Sequence, residues 1–211
     1  MVFDGIVSTA ALVVGVAGAT AESAPILVAG LAGLVGGAVS MALGEYVSVS
    51  SQRDSERSFI AMERRELEEA PEEELAELAV LYQAKGLSTD TAKQVAKELT
   101  DHDALAAHLS VELNIDEKDV VNPWHAAFSS AAAFGVGAIL PLAAILLAAG
   151  LWRVPITFAV VLVALAITGA LGAHLGGSSK WRAMARVVIG GALALAATFA
   201  VGTLLGASGV V

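Results

Sequence analysis

The chain has 211 residues, 56% of them hydrophobic, and its formal charge of −9 at pH 7 is gathered in one block. Positions 53–121 hold 18 of the 21 acids against eight of the 12 bases, net −10, while the rest of the chain carries +1. This balance excludes an ordinary soluble domain, points to an integral membrane protein with one soluble insert, and argues against a nucleic-acid partner; the lack of cysteine excludes disulfides and thiolate chemistry.

In chain order, Gly5–Ala21 is the first apolar run, 17 residues, at the lower limit for crossing a hydrocarbon core of about 30 Å. Its start has no basic n-region, and Asp4 stands where one would be expected, so no cleavable signal is read there. After a polar break at Thr20–Pro25, a second run from Ile26 to about Val49 is long enough to cross with some tilt. Between Gly44 and Gly86 the only helix breaker is Pro71, so the second span is expected to continue as a solvated helix to about Ala70.

Beyond Pro71, EEELAELAVLYQAKG reads as an amphipathic helix with Leu75, Leu78, Ala79 and Tyr82 on one face and Gly86 as its stop. Ser88 or Thr89 can cap a helix to about Thr100, and Asp101 or Asp103 a further one ending near Asn114. A third span, Pro123–Ala149, carries Trp124 at its interface and Pro141 as a kink. Arg153 and Pro155 read as a tight turn, followed by spans at about Ile156–His174 and Met184–Leu205.

The fold class is therefore an all-α integral membrane protein, with five transmembrane helices and a cytoplasmic helical insert between the second and third. Its parts are 1–52 (two spans), 53–121 (the acidic module) and 122–211 (three spans). Orientation follows from the bases: the first-to-second and third-to-fourth connections hold only Arg153, whereas the insert and the Lys180, Arg182, Arg186 turn hold the other eleven. The positive-inside rule then puts the insert and that turn in the cytoplasm.

Several residues suggest chemistry. Glu63/Glu66 and Glu74/Glu77 are i, i+3 pairs, with carboxylates on one helix face about 5–6 Å apart. Facing each other, such pairs form an oxygen cage that suits Fe²⁺, Mn²⁺ or Zn²⁺ when a histidine joins it; alone, they are a solvated acidic face. His108 and Glu112, at i, i+4, can share a metal or be exposed helix residues. Met41 and Glu45 share a face of the second span. A thioether is a soft ligand and an intramembrane acid is costly enough to suggest a path; the plainer readings are a core methionine and a boundary glutamate paired with Arg53 or water. Asp4 alone is an N-cap of the first span, and His102, His125 and His174 carry no constellation. Gly30, Gly33, Gly36, Gly37, Ala38 and Gly44 form a small-residue face open to close helix packing, within the chain or across a dimer.

DGIVSTAALVVGVAGA at Asp4–Ala19, SMALGEYVSVSSQRD at Ser40–Asp54, LPL at Leu140–Leu142 and RVVIGGALALAATFAVGTLLG at Arg186–Gly206 together resemble the vacuolar iron transporter family, including its bacterial and plant nodulin-like branches. The resemblance implies a five-helix homodimer exporting ferrous iron, and often manganese, from the cytosol in exchange for protons. It places Asp4 and Met41 on the translocation path and Glu63, Glu66, Glu74, Glu77 and Glu112 in a cytoplasmic metal module. Two departures stand out: Gly33 occupies a path position that is often acidic, and His108 and Leu109 replace two methionines of plant members. Only MVF precedes Asp4, which implies either a shortened first helix or a start downstream of the native one.

The expected function is a divalent metal/proton antiporter for Fe²⁺, with Mn²⁺ as a second cargo. Its path residues are Asp4, Met41 and Glu45, and its metal residues Glu63, Glu66, Glu74, Glu77, His108 and Glu112. No enzyme activity and no permanently bound cofactor is expected. The partners are a second copy, membrane lipid, divalent ions and protons; the location is a bacterial cytoplasmic membrane, or a vacuolar one in a eukaryote. The alternative is a membrane-anchored dimeric metal sensor that moves no ion, and a passive channel is a third reading.

Overall fold

The computed structural model describes residues 1–116 and 121–209. Glu117, Lys118 and Asp119, counted above in the acidic block, lie outside them. The described residues are helical, without strands: α1 (Val2–Ala19), α2 (Ser23–Glu69), α3 (Pro71–Ala84), α4 (Thr89–His108) with a π-helical turn at Leu109–Leu113, α5 (Pro123–Leu147), a 3₁₀ turn at Gly150–Trp152, α6 (Arg153–Leu175) and α7 (Lys180–Ala207). Five helices, α1, α2, α5, α6 and α7, are long and apolar enough to cross a membrane. The chain divides into two compact units, Met1–Glu45 with Trp124–Val211, and Tyr46–Pro123. α2 gives its first half to one and its second half to the other.

In the membrane unit α1 is the central helix. Ile6, Ala10, Val13 and Val14 are buried in a core completed by Ile26, Leu142, Ile145, Val161, Leu165 and Leu195 from the other four spans. Glycines let α1 approach its neighbours to backbone contact. A Cβ on Gly5 would strike the carbonyl of Phe134 in α5, one on Gly137 the carbonyl of Val2, and one on Gly202 of α7 the carbonyl of Gly15. By contrast, α2 exposes a row of large apolar side chains at helical spacing, Val28, Leu31, Val35, Val39, Leu43 and Val47.

The small-residue face of α2 divides in two. Gly30, Gly33 and Gly37 pack within the chain, on Leu142 and Val13, on Leu12 and on Phe134, whereas around Gly36 and Gly44 nothing lies within 4 Å of where a Cβ would be. Within the membrane unit, Arg153 ties three segments together. Its Nη1 donates to the carbonyl of Ala21 at 2.9 Å, its Nη2 to Ser23 Oγ at 2.7 Å and its Nε to the carbonyl of Ala148 at 3.4 Å. Arg153 and Pro155 are thus not a turn but the first turn of α6, where proline needs no N–H partner. Asp4 is likewise no N-cap: Met1 holds that place and Asp4 lies within the first turn.

The insert unit builds on a second, smaller core. Leu78 and Ala79 of α3 pack on Ala96 and Ala107 of α4, flanked by Leu75, Tyr82, Leu99 and Val111. Pro71 opens α3, Gly86 follows its end at φ +99°, and Ser88 Oγ caps α4 by accepting from Thr91 N. α4 breaks at Asp103, whose backbone leaves the helical region at φ −162°, ψ 92° and whose Oδ1 accepts from Ala106 N at 3.0 Å. One residue thereby ends one helical segment and caps the next. The π turn stops at Asn114, in the left-handed region at φ 53°.

Candidate metal centre

α2, α3 and α4 each bring one side chain to a common point in the insert. Glu63 (2% exposed), Glu74 (9%) and His108 (0%) are buried, and one ligand atom from each lies within 4.8 Å of the others. The Nδ1 of His108 is 3.0 Å from Glu63 Oε1, 3.7 Å from Glu74 Oε2 and 3.9 Å from Glu112 Oε2. The shortest of these is close but not aligned: Glu63 Oε1 and both ring nitrogens of His108 have no hydrogen-bond partner. Buried polar atoms left this way are costly, and a donor set converging on one point is the arrangement a cation satisfies.

Local sequence explains the convergence. Pro71 interrupts the helical run eight residues after Glu63, so α3 is a separate helix that can face the end of α2, and its i, i+4 apolar positions Leu75, Leu78, Ala79 and Tyr82 turn Glu74 into the interior. The break at Asp103 resets the direction of α4, and the π turn that follows carries Glu112, an irregularity often found at functional sites.

Acids crowd this point. Burial pushes the Glu63 carboxyl up from 4.5 to about 7, with repulsion from Glu112, Glu74, Glu66 and Glu77 adding to it. Glu74 is raised as well, chiefly by burial and then by Glu77, with His108 opposing. The i, i+3 pairs are therefore unequal: Glu63 and Glu74 are buried, whereas Glu66 and Glu77 stand exposed and act on the centre through their charge.

A second cluster belongs to the membrane unit. A cavity of about 240 Å³ is lined by Asp4, Ser8, Thr9 and Leu12 of α1, Gly33, Gly37, Ser40 and Met41 of α2, and Phe134 of α5. Asp4 and Met41 thus share one cavity, and Gly33 opens on the same space. Glu45, half-buried one turn further along α2, is not among its lining residues. Sequence reasoning passed over Ser8, Thr9, Ser40 and Phe134. Ser8 stands four residues after Asp4 and Ser40 beside Met41, which was signal enough; nothing marked Phe134. Ser8 Oγ donates to the carbonyl of Asp4 at 2.6 Å, and Thr9 is buried with no partner for its hydroxyl.

Five apolar spans around a buried core make the chain a polytopic helical membrane protein. The sequence profile of the VIT family matches residues 2–203, and the chain belongs to that family. It is 41% identical over 206 residues to the vacuolar iron transporter of Acanthamoeba castellanii, covering 95% of this chain and 77% of that protein. It is 37% identical over 212 residues to vacuolar iron transporter homolog 5 of Oryza sativa subsp. japonica, covering 98% and 78%. Vacuolar iron transporter homolog 2.1 of Arabidopsis thaliana is 32% identical over 206 residues. The matches run through both units, so the likeness includes the insert as well as the spans.

Proposed function

We propose that the protein is a divalent metal/proton antiporter that exports Fe²⁺, with Mn²⁺ as a second cargo, from the cytosol. The observation that carries the reading is the convergence of Glu63, Glu74 and His108 with their donor atoms unsatisfied. Family membership supports metal as the cargo, and the relatives' names supply iron. The insert, on the cytoplasmic side by the distribution of basic residues, captures the ion through Glu63, Glu74 and His108, with Glu112 as a fourth ligand and Glu66 and Glu77 attracting it. Asp4 and Met41 bind it in the membrane unit, where one carboxylate and one thioether make a weak site suited to release. Glu45 lies at the entrance to that path.

Proton coupling follows from the ligands themselves. A carboxylate must lose its proton to hold a metal, so protonation from the far side expels the ion. The apolar row and the open glycines Gly36 and Gly44 on α2 favour a second copy there.

The test is Fe²⁺ flux in proteoliposomes with and without an inward-acidic pH gradient, comparing the wild type with a variant in which Glu63, Glu66, Glu74 and Glu77 are all Ala. Gradient-driven flux that slows in the variant is expected. Flux indifferent to the gradient would indicate a channel. Metal binding without flux would indicate a sensor, a reading favoured by Gly33, which leaves the membrane cavity with a single carboxylate.

A further inference from the structure

We infer that His108 sets the selectivity of the insert, making it a site for borderline divalent ions (the Fe²⁺, Co²⁺ and Zn²⁺ group) in preference to the hard ions Mn²⁺, Mg²⁺ and Ca²⁺. The inference rests on the metal-binding reading of the insert given above and asks which ions that site takes.

The other donors at this point, Glu63, Glu74 and Glu112, are all carboxylates, and carboxylate oxygens accept hard and borderline ions alike. Only the imidazole discriminates. A nitrogen ligand gains more than an oxygen ligand along the series from Mn²⁺ to Cu²⁺, so adding one to an oxygen cage steepens the order of affinity.

Three features make the ring a ligand and not a packing residue. It is 0% exposed and carried between Ala107 and Leu109, both buried. Three carboxylate oxygens lie 3.0, 3.7 and 3.9 Å from its Nδ1. Yet neither ring nitrogen makes a hydrogen bond, whereas a histidine buried for stability alone would use its N–H on the nearest carboxylate. Leu109, 1% exposed in the wall beside it, is hydrocarbon and adds no donor.

The experiment uses the full chain in detergent and measures Zn²⁺ and Mn²⁺ affinities separately, by competition with a chromophoric chelator, for the wild type, His108→Gln and Glu63→Gln. Glutamine keeps most of the ring's volume and removes the nitrogen ligand. In His108→Gln, Zn²⁺ binding should weaken about tenfold or more while Mn²⁺ changes less than about threefold, so the preference for Zn²⁺ collapses. Glu63→Gln should weaken both ions. Equal losses in His108→Gln, or none, would overturn the inference while leaving the metal site standing. If the wild type binds neither ion and Glu63→Gln changes nothing, the metal reading itself falls.

A measurement that needs no variant of the site guards against misfolding. In a background where the exposed His102, His125 and His174 are Gln, Cu²⁺ bound to the chain should show nitrogen superhyperfine splitting from one imidazole. An all-oxygen spectrum would overturn the inference.

Discussion

A carboxyl group cut off from water and surrounded by other acids keeps its proton to higher pH than a surface glutamate does, and Glu63 is such a group. Its folded value of about 7 lies above the ordinary 4.5. Between those values the folded chain holds a proton that the unfolded chain has lost, so the stability of the metal-free protein falls as pH rises from about 4.5 to about 7 and levels off above. Thermal unfolding followed by circular dichroism across that range should show the decline. Glu63→Gln should remove much of it and raise the metal-free melting temperature at pH 8, while a bound divalent ion should offset it in the wild type. In the membrane unit, Met41→Leu keeps the volume of the cavity wall and removes its only sulfur. Fe²⁺ flux in proteoliposomes should drop about tenfold or more, with an unchanged melting temperature.

The insert's helices show how far one residue decides the position of a side chain in the candidate metal centre. Asp103 ends the first part of α4 and caps the part that carries His108 and leads into the π turn with Glu112. Asp103→Ala removes the bond to Ala106 N and should cost about 1 kcal/mol of stability. On the metal reading proposed for the insert it should also weaken metal binding, because His108 and Glu112 beyond the break lose their fixed direction. Ser88→Ala, at the start of α4, removes a comparable cap without that second effect, and titration of the two variants side by side separates stability from positioning. These helix limits were largely legible in the sequence, since Pro71, Gly86, Ser88 and Asp103 are residues whose backbone chemistry marks boundaries. The π turn was not, because one extra residue in a turn leaves no compositional trace; the expected i, i+4 relation of His108 and Glu112 is met by a wider helix than the spacing assumed.

At the scale of the whole chain, the five spans were legible from apolar length, and their packing was not. The second span carries the small-residue face and the Ser40–Asp54 motif, yet the core of the membrane unit is built around α1. Lipid-facing and buried positions are both apolar in a membrane helix, so hydrophobic periodicity cannot say which helix stands in the middle. Glycine contacts can. Gly202→Leu should lower the melting temperature sharply by forcing α7 off Gly15, while Gly36→Leu, with open space around it and on the face proposed for a second copy, should spare the fold and instead reduce self-association in light scattering. The meeting of Asp4 with Met41 in one cavity was beyond reach for the same reason: residue spacing places a side chain on a face but not a face on a neighbour.

The seam between α1 and α7 has a consequence for how the chain is made. Gly15 and Gly18 meet Gly202 and Phe199 at backbone distance, and Ala19 meets Gly206. α1 is translated well before α7, so this seam can form only after α7 has been made. Until then the glycines of α1 that face α7 have nothing packed on them, and the core that Leu195 completes stays open. The order of synthesis thus makes closing this seam a late step in assembling the membrane unit.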